Sequence, residues 1–318
     1  MKILVTGGLG YLGSRLLAHL DATGLYEITA TSRRCNVPEA VQQLRSVRVK
    51  KIDYADPVLM ADLLKEQQVV INLAAANEIL AGKNPVAALM HTAGHTWRLL
   101  EAVDTSSLNL FLQFSTIHVY GNPLPGYIDE TSPAMPGHAY AIAHHAAEQL
   151  VNMAVRQKHF KHLILRLSNA IGPPLFADVN RWTLLVNDLC LQAVQQGKLV
   201  LKTHGRQWRN FIAIEEICRF VQQAIHAEST NNNFFTGTIN LAGSHNMTVL
   251  QMAKLVQSRY ELMHCQPLPM EVPADGHGSY HEPLLVSRIK LADWGAAADI
   301  PLENEIDALL NFCGMMSI

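Results

Sequence analysis

Along the first two-thirds of the chain, short apolar, β-branched runs alternate with longer segments whose apolar positions recur at helical spacing. The strand-like runs are Lys2–Thr6, Glu27–Thr31, Arg48–Ile52, Val69–Leu73, Leu110–Ser115 and His162–Leu167. Between them the spacing predicts helices over Gly13–Leu20, Val58–Glu66, Pro85–Val103 and Ala139–Gln157. Such alternation predicts an α/β fold, a doubly wound parallel sheet covered by helices, with ligands at the carboxyl ends of its strands.

After Gly172-Pro173-Pro174 the alternation loosens. A helix is expected over Trp182–Gln196 and strands over Leu199–Lys202 and Thr238–Leu241, while Cys265–Pro283, rich in Pro, Gly and His, reads as loop. The expected division is a larger domain over residues 1–171, to which 206–242 returns, and a smaller lobe formed by 172–205 and 243–318.

Composition narrows the partners. Of 318 residues 49% are apolar and 16% charged, and the net charge of -2 gives no field that would draw nucleic acid or an anionic membrane. No run approaches the roughly 20 apolar residues of a membrane helix, so neither anchor nor leader is expected. Cys35, Cys190, Cys218, Cys265 and Cys313 are odd in number and show no C-x-x-C spacing. That argues against disulfides or zinc and for a cytoplasmic protein. The pairs His91/His95 and His277/His281 have the spacing of helical metal ligands, but no carboxylate or cysteine completes a set, and surface roles are expected.

Lys2–Thr6 runs into Gly7-Gly8-Leu9-Gly10-Tyr11-Leu12-Gly13 and then helix. Glycines there permit a tight turn and close approach of a pyrophosphate, and the helix N-terminus offers N–H donors. The second strand ends Thr31-Ser32-Arg33-Arg34, without the acidic residue that binds ribose hydroxyls in NAD sites. Two guanidinium groups suit a 2′-phosphate, so NADP(H) is expected, with NAD the alternative. Ser32, Leu73, Ala74 and Ala75 join the expected cofactor contacts. Asp53 is placed either to meet the adenine or to cap the following helix.

Six motifs in order resemble the extended short-chain dehydrogenase/reductase family, in its nucleotide-sugar epimerase, dehydratase and reductase branch. They are Thr6–Gly13, Ser115–Gly121 (S-T-x-x-V-Y-G), the helix carrying Tyr140, Leu165–Pro173 (L-R-x-x-N-x-x-G-P), Arg209–Ile212 and Gly237–Leu241. The resemblance implies a Rossmann domain and a nucleotide-diphosphate sugar as substrate. It implies that Thr116 holds the reacting sugar oxygen, that Tyr140 is the acid/base, and that Asn169 and Arg209 meet the diphosphate. It also implies a homodimer built on Pro85–Val103 and Ala139–Gln157. Arg181, Trp182, Tyr280 and Arg288 are further candidates for reading the substrate.

Three departures bear on the reaction. Ile117-His118 stands where the family's dehydratases carry an acidic residue, which argues against dehydration. Thr92 and His95 replace an asparagine and a glycine of the family's N-V-x-G-T segment. His144 stands four residues after Tyr140, where the family has a lysine that binds the nicotinamide ribose and lowers the tyrosine pKa. His144 either replaces that lysine or merely fills space; as a replacement it would be partly charged near neutrality, and activity would fall on the alkaline side as it deprotonates. His118 and His138 flank the same cleft, as auxiliary acids or as loop histidines.

A weakly supported tyrosine is abundant in its neutral form, the form a ketone reduction starts from. The expected activity is therefore NADPH-dependent reduction of a nucleotide-linked keto-sugar, a 4-keto-6-deoxy sugar above others. The alternatives are an epimerase that retains its NAD(P) and a non-catalytic NADP-binding sensor or scaffold.

Overall fold

The computed structural model describes residues 1–33, 36–122, 124, 126–230, 235–273, 282–294 and 300–316. Arg34, Cys35, His277, Tyr280 and His281 lie outside the described residues. Seven parallel strands form the main sheet: β1 (Lys2–Thr6), β2 (Glu27–Ser32), β3 (Val47–Lys51), β4 (Val69–Asn72), β5 (Leu110–Thr116), β7 (Lys161–Leu167) and β11 (Gly237–Leu241). Their order is β11-β7-β5-β4-β1-β2-β3. The winding reverses between β1 and β4, which leaves a crevice beyond their carboxyl ends.

The sheet forms because its central strands are apolar on both faces, whereas edge strand β3 (VRVKK) is not. In β1, Ile3 and Val5 enter one core with α1 (Tyr11–Ala22) and α9 (Ile214–Ser229), while Leu4 enters the other with α3 (Pro57–Leu64), α6 (His95–Ala102) and α7 (Ala139–Lys158). A short α2 (Glu39–Gln42) precedes β3.

A second sheet, ordered β12-β10-β8, joins β8 (Asn169–Ile171), β10 (Trp208–Ala213) and β12 (His245–Thr248). The segment expected to return to the main sheet is thus divided: α9 and β11 belong there, whereas β10 pairs with β8 and β12. A separate core gathers α8 (Leu185–Gln196), α10 (Val249–His264) and α12 (Leu302–Met316). Two-residue parallel pairs, β6 (Tyr127–Ile128) with β14 (Leu285–Val286) and β9 (Leu199–Val200) with β13 (Met270–Glu271), tie loops down, and α11 (Ile289–Asp293) packs near β11.

Pro85–Val103 is helical through Ala102, with one π-helical turn inside it. It is α5 (Pro85–Leu89), a π-helical turn over Met90–Gly94, and α6, preceded by α4 (Glu78–Lys83). The wide turn lets Thr92 accept the Ala76 N–H at 3.0 Å while the Thr96 hydroxyl donates to the Thr92 carbonyl at 2.8 Å. Among the described residues no helix is long and apolar enough to cross a membrane.

Candidate active site

The glycine loop is dictated by contact. Gly7 adopts φ 69°, and a Cβ there would stand 3.0 Å from the Leu73 carbonyl carbon and the Ala74 nitrogen, at the exit of β4. A Cβ on Gly13 would overlap the Gly7 carbonyl oxygen. The loop therefore closes directly onto α1, whose N-terminus at Gly10 carries no side-chain cap. Unspent N–H groups in the first turn, from Tyr11, Leu12 and Gly13, fit a pyrophosphate. The Tyr11 ring serves another purpose: its hydroxyl donates to the Gly172 carbonyl at 2.6 Å and to Asn187 Oδ1 at 3.1 Å, pinning the smaller lobe to the loop.

At the end of β2, Ser32 is buried and Arg33 exposed. The Arg33 guanidinium lies 3.2 Å from His91 Nδ1, and His95 stacks on Tyr54 with ring centroids 3.9 Å apart. The His91/His95 pair thus serves neighbouring side chains. Asp53 accepts the Ala55 N–H at 2.9 Å, and Asp56 is the residue that caps α3.

Thr116 ends β5, and its hydroxyl accepts the His118 N–H at 3.2 Å to start a short 3-10 turn. Tyr140 lies in the first turn of α7, whose N-cap His138 accepts the Ala141 N–H at its Nδ1. These two elements pack together and bring Thr116 near the Tyr140 phenol. Burial pushes the Tyr140 pKa above the usual phenol value; Arg181 and Thr116 act to lower it, and Glu78 to raise it. The resting donor is neutral tyrosine. His118 and His138 adjoin, ring centroids 5.6 Å apart, and Arg209 bears on His118 from β10.

His144 is one turn beyond Tyr140, 4.6 Å between ring centroids and edge to face. It is 4% exposed, and neither ring nitrogen has a hydrogen-bond partner of good geometry. Burial pushes its pKa down to about 4, outweighing Glu148 and the Phe114 carbonyl, which favour the charged form. This corrects the expectation of a partly charged histidine and of an alkaline loss of activity through it: at neutral pH the ring carries no charge. The uncharged ring fills a buried place beside the phenol.

The same burial has a thermodynamic consequence. The folded-state pKa of His144 lies below that of the unfolded chain, about 6.5, so the unfolded chain binds the extra proton between these limits. Stability from this group is complete above roughly pH 6.5 and is lost as pH falls toward 4. The loss approaches roughly 3 kcal/mol, at about 1.36 kcal/mol per unit. Urea unfolding midpoints should drop from neutral pH to about pH 5, and by less in His144→Leu; His118, also pushed down to about 4 by burial, retains part of the effect.

Beneath the site, Glu148 is 1% exposed and gathers three partners: Arg166 through Nε and Nη2 at 3.0 and 2.7 Å, the Ser115 hydroxyl at 2.5 Å, and His145 Nδ1 at 3.4 Å. Arg166 lies over the Tyr120 ring, whose hydroxyl donates to Asn240 at 2.7 Å. This network fixes α7 against β5 and β7 behind the reactive side chains.

The structure thus brings together Thr116, His118, His138, Tyr140, His144 and Arg209. Asn169 sits on β8 with its amide donating to the Asn210 carbonyl at 2.8 Å. Arg288 does not join them: its guanidinium is engaged by Glu216 at 2.6 Å, a carboxylate 72 residues away in sequence. Sequence reasoning missed Glu78, which opens α4 behind the Asn77 cap and binds Arg181; no motif marks it.

The model of the "NAD dependent epimerase/dehydratase family" matches residues 3–242. A dTDP-glucose 4,6-dehydratase of Streptomyces niveus is 26% identical over 269 residues, covering 80% of this chain and 76% of the relative. UDP-glucuronic acid 4-epimerase from Bacillus cereus, solved with UDP-glucuronic acid and NAD, superposes with a TM-score of 0.81 at 22% identity, covering 99% of this chain and 100% of that one. UDP-glucose 4-epimerase from Thermotoga maritima, solved with UDP-glucose, gives 0.80 at 19% identity over the whole of both chains.

Proposed function

Since the chain belongs to the NAD dependent epimerase/dehydratase family, we propose that it epimerises a nucleotide-linked sugar at a secondary carbinol, retaining a nicotinamide dinucleotide. The observation that carries this reading is the grouping of Thr116, at the carboxyl end of β5, with Tyr140 and His144, one turn apart on α7 and in ring contact. The dinucleotide supplies the hydride acceptor and donor. Gly7, Gly10 and Gly13, with Ser32 and Arg33, would hold its phosphates, Leu73–Ala75 and Asp53 its middle and adenine, and Tyr140 and His144 its nicotinamide ribose.

The remaining chemistry falls to the chain's own side chains. Thr116 orients the sugar oxygen toward Tyr140, and the phenol exchanges a proton with that oxygen as it passes between alcohol and ketone. Arg209, beside His118, faces the diphosphate. Ile117-His118 offers no carboxylic acid to expel water, which argues against the dehydration performed by the Streptomyces relative. Incubation with nucleoside-diphosphate hexoses should yield an epimer with no net use of added cofactor; absence of any epimer across uridine- and thymidine-linked hexoses would count against the reading.

Reduction of a keto-sugar is a second reading, supported by the neutral Tyr140 and uncharged His144. Stoichiometric consumption of NADPH would select it. Under both readings Arg33, at a strand end with no carboxylate, favours a 2′-phosphate. Arg33→Ala should weaken NADPH binding about tenfold, the value of one charge-assisted hydrogen bond, and leave NADH binding unchanged. Equal effects on both, by fluorescence titration, would place Arg33 outside the cofactor site.

A further inference from the structure

Tyr140 is the second residue of α7, so its hydroxyl goes where the first turn of that helix goes. The turn is closed by a side chain that can change charge. His138 is the N-cap, extended at φ -152° and ψ 160°, and its Nδ1 accepts the Ala141 N–H at 3.3 Å while its carbonyl accepts the Ile142 N–H at 3.0 Å. The usual N-caps, Ser, Thr, Asp and Asn, offer an oxygen that accepts throughout the neutral range. Imidazole accepts only in one form. To receive the Ala141 N–H at Nδ1 the ring must be neutral with its proton on Nε2; the imidazolium is a donor at both nitrogens. Protonation would also set a positive charge at the positive end of the helix dipole. The same ring leans on the reactive side chain: its centroid lies 6.1 Å from that of Tyr140, the planes 28° apart, and 5.6 Å from that of His118.

We infer that His138 is a positioning residue of this site, holding the first turn of α7, and with it the Tyr140 hydroxyl, only while its ring is neutral, so that the site loosens as pH falls. This rests on the proposed proton-transfer role of Tyr140 and adds a group that acts through the helix rather than on the sugar. The titratable groups around the ring are His118 from the 3-10 turn and Tyr140 and His144 from α7 itself. Beyond them, Arg209 from β10 and Glu78 from α4 bear on His118, and Arg181 on Tyr140.

Asparagine separates the cap from the charge, because its side chain caps without titrating. His138→Ala should lower turnover at neutral pH about fivefold, the usual worth of one cap, and His138→Asn should recover most of it. The unaltered chain should lose turnover on the acid side with the midpoint at which its Ala141 amide resonance moves, followed by nitrogen–proton NMR of the full chain without substrate. In His138→Asn both changes should vanish from that midpoint. Any loss through His118 and His144, which burial pushes down to about 4, is common to both proteins. An Ala141 amide that titrates identically in His138→Asn, or an acid limb of unchanged midpoint in that variant, overturns the assignment. So does a His138 ring whose nitrogen shifts place the neutral-pH proton on Nδ1. If the Ala141 amide behaves as stated but no nucleotide sugar is turned over by the unaltered chain, the proposed function fails while the titratable cap stands.

Discussion

Tyr140→Phe should lower turnover by roughly 10²- to 10⁴-fold, the usual contribution of a positioned acid/base, and weaken nicotinamide-nucleotide binding by no more than about tenfold, the value of one ribose hydrogen bond. The reasoning is local. The phenol hydroxyl lies near Thr116, and it is held neutral by burial, so it is poised to give a proton and needs help to take one. Removing one oxygen leaves the ring in its pocket against Ala81 and Leu80, and the glycine loop lies on other elements. Steady-state kinetics and nucleotide titration of the same preparation separate the two effects. An unchanged turnover number would instead favour the non-catalytic reading, a nucleotide-binding sensor or scaffold.

Glu148→Ala should destabilise the fold by about 3–5 kcal/mol, the cost of leaving a buried charge without its partner. Arg166 is 9% exposed at its side chain and donates two hydrogen bonds to this one carboxylate. The alanine variant would leave that guanidinium against Tyr120, and the Ser115 hydroxyl without its acceptor. Replacing Glu148 and Arg166 together by apolar residues of similar volume should cost less than Glu148→Ala alone, because no uncompensated charge remains. Denaturant unfolding at neutral pH checks both. If the double replacement proves the worse, the pair holds α7 by more than charge compensation.

Much of this was legible in the sequence, for identifiable reasons. The strands of the main sheet lie within about a residue of their expected limits because buried parallel strands read as continuous apolar runs. The loop from Gly7 to Gly13 was legible because contact geometry excludes a side chain there. Tyr140, His144 and Glu148, spaced by four, share a helix face, and their grouping follows from that spacing.

What escaped depends on tertiary contact. The π-turn at Met90–Gly94 keeps the apolar pattern of a helix while inserting a wide turn, so periodicity alone reads Pro85–Val103 as one element. The charge of His144 is set by its burial, which helical spacing does not report. Arg288 looked like a free cation for the substrate until the fold set Glu216 against it. Arg181 was visible as a candidate, but its partner Glu78, 103 residues away in sequence, was not. The proposal of an epimerase over a reductase likewise rests on family membership, not on the motifs, which both reactions share.

The central claim is that a hydride leaves and returns to one sugar carbon while Tyr140 moves the proton. It is tested most directly by mixing the purified chain, carrying its oxidised nucleotide, with uridine-linked hexoses and following nicotinamide absorbance through a single turnover. The account predicts a transient rise in the reduced form that decays as the epimer appears, strongly slowed in Tyr140→Phe. A nucleotide that stays oxidised with every such sugar, or a trace identical in Tyr140→Phe, would contradict it.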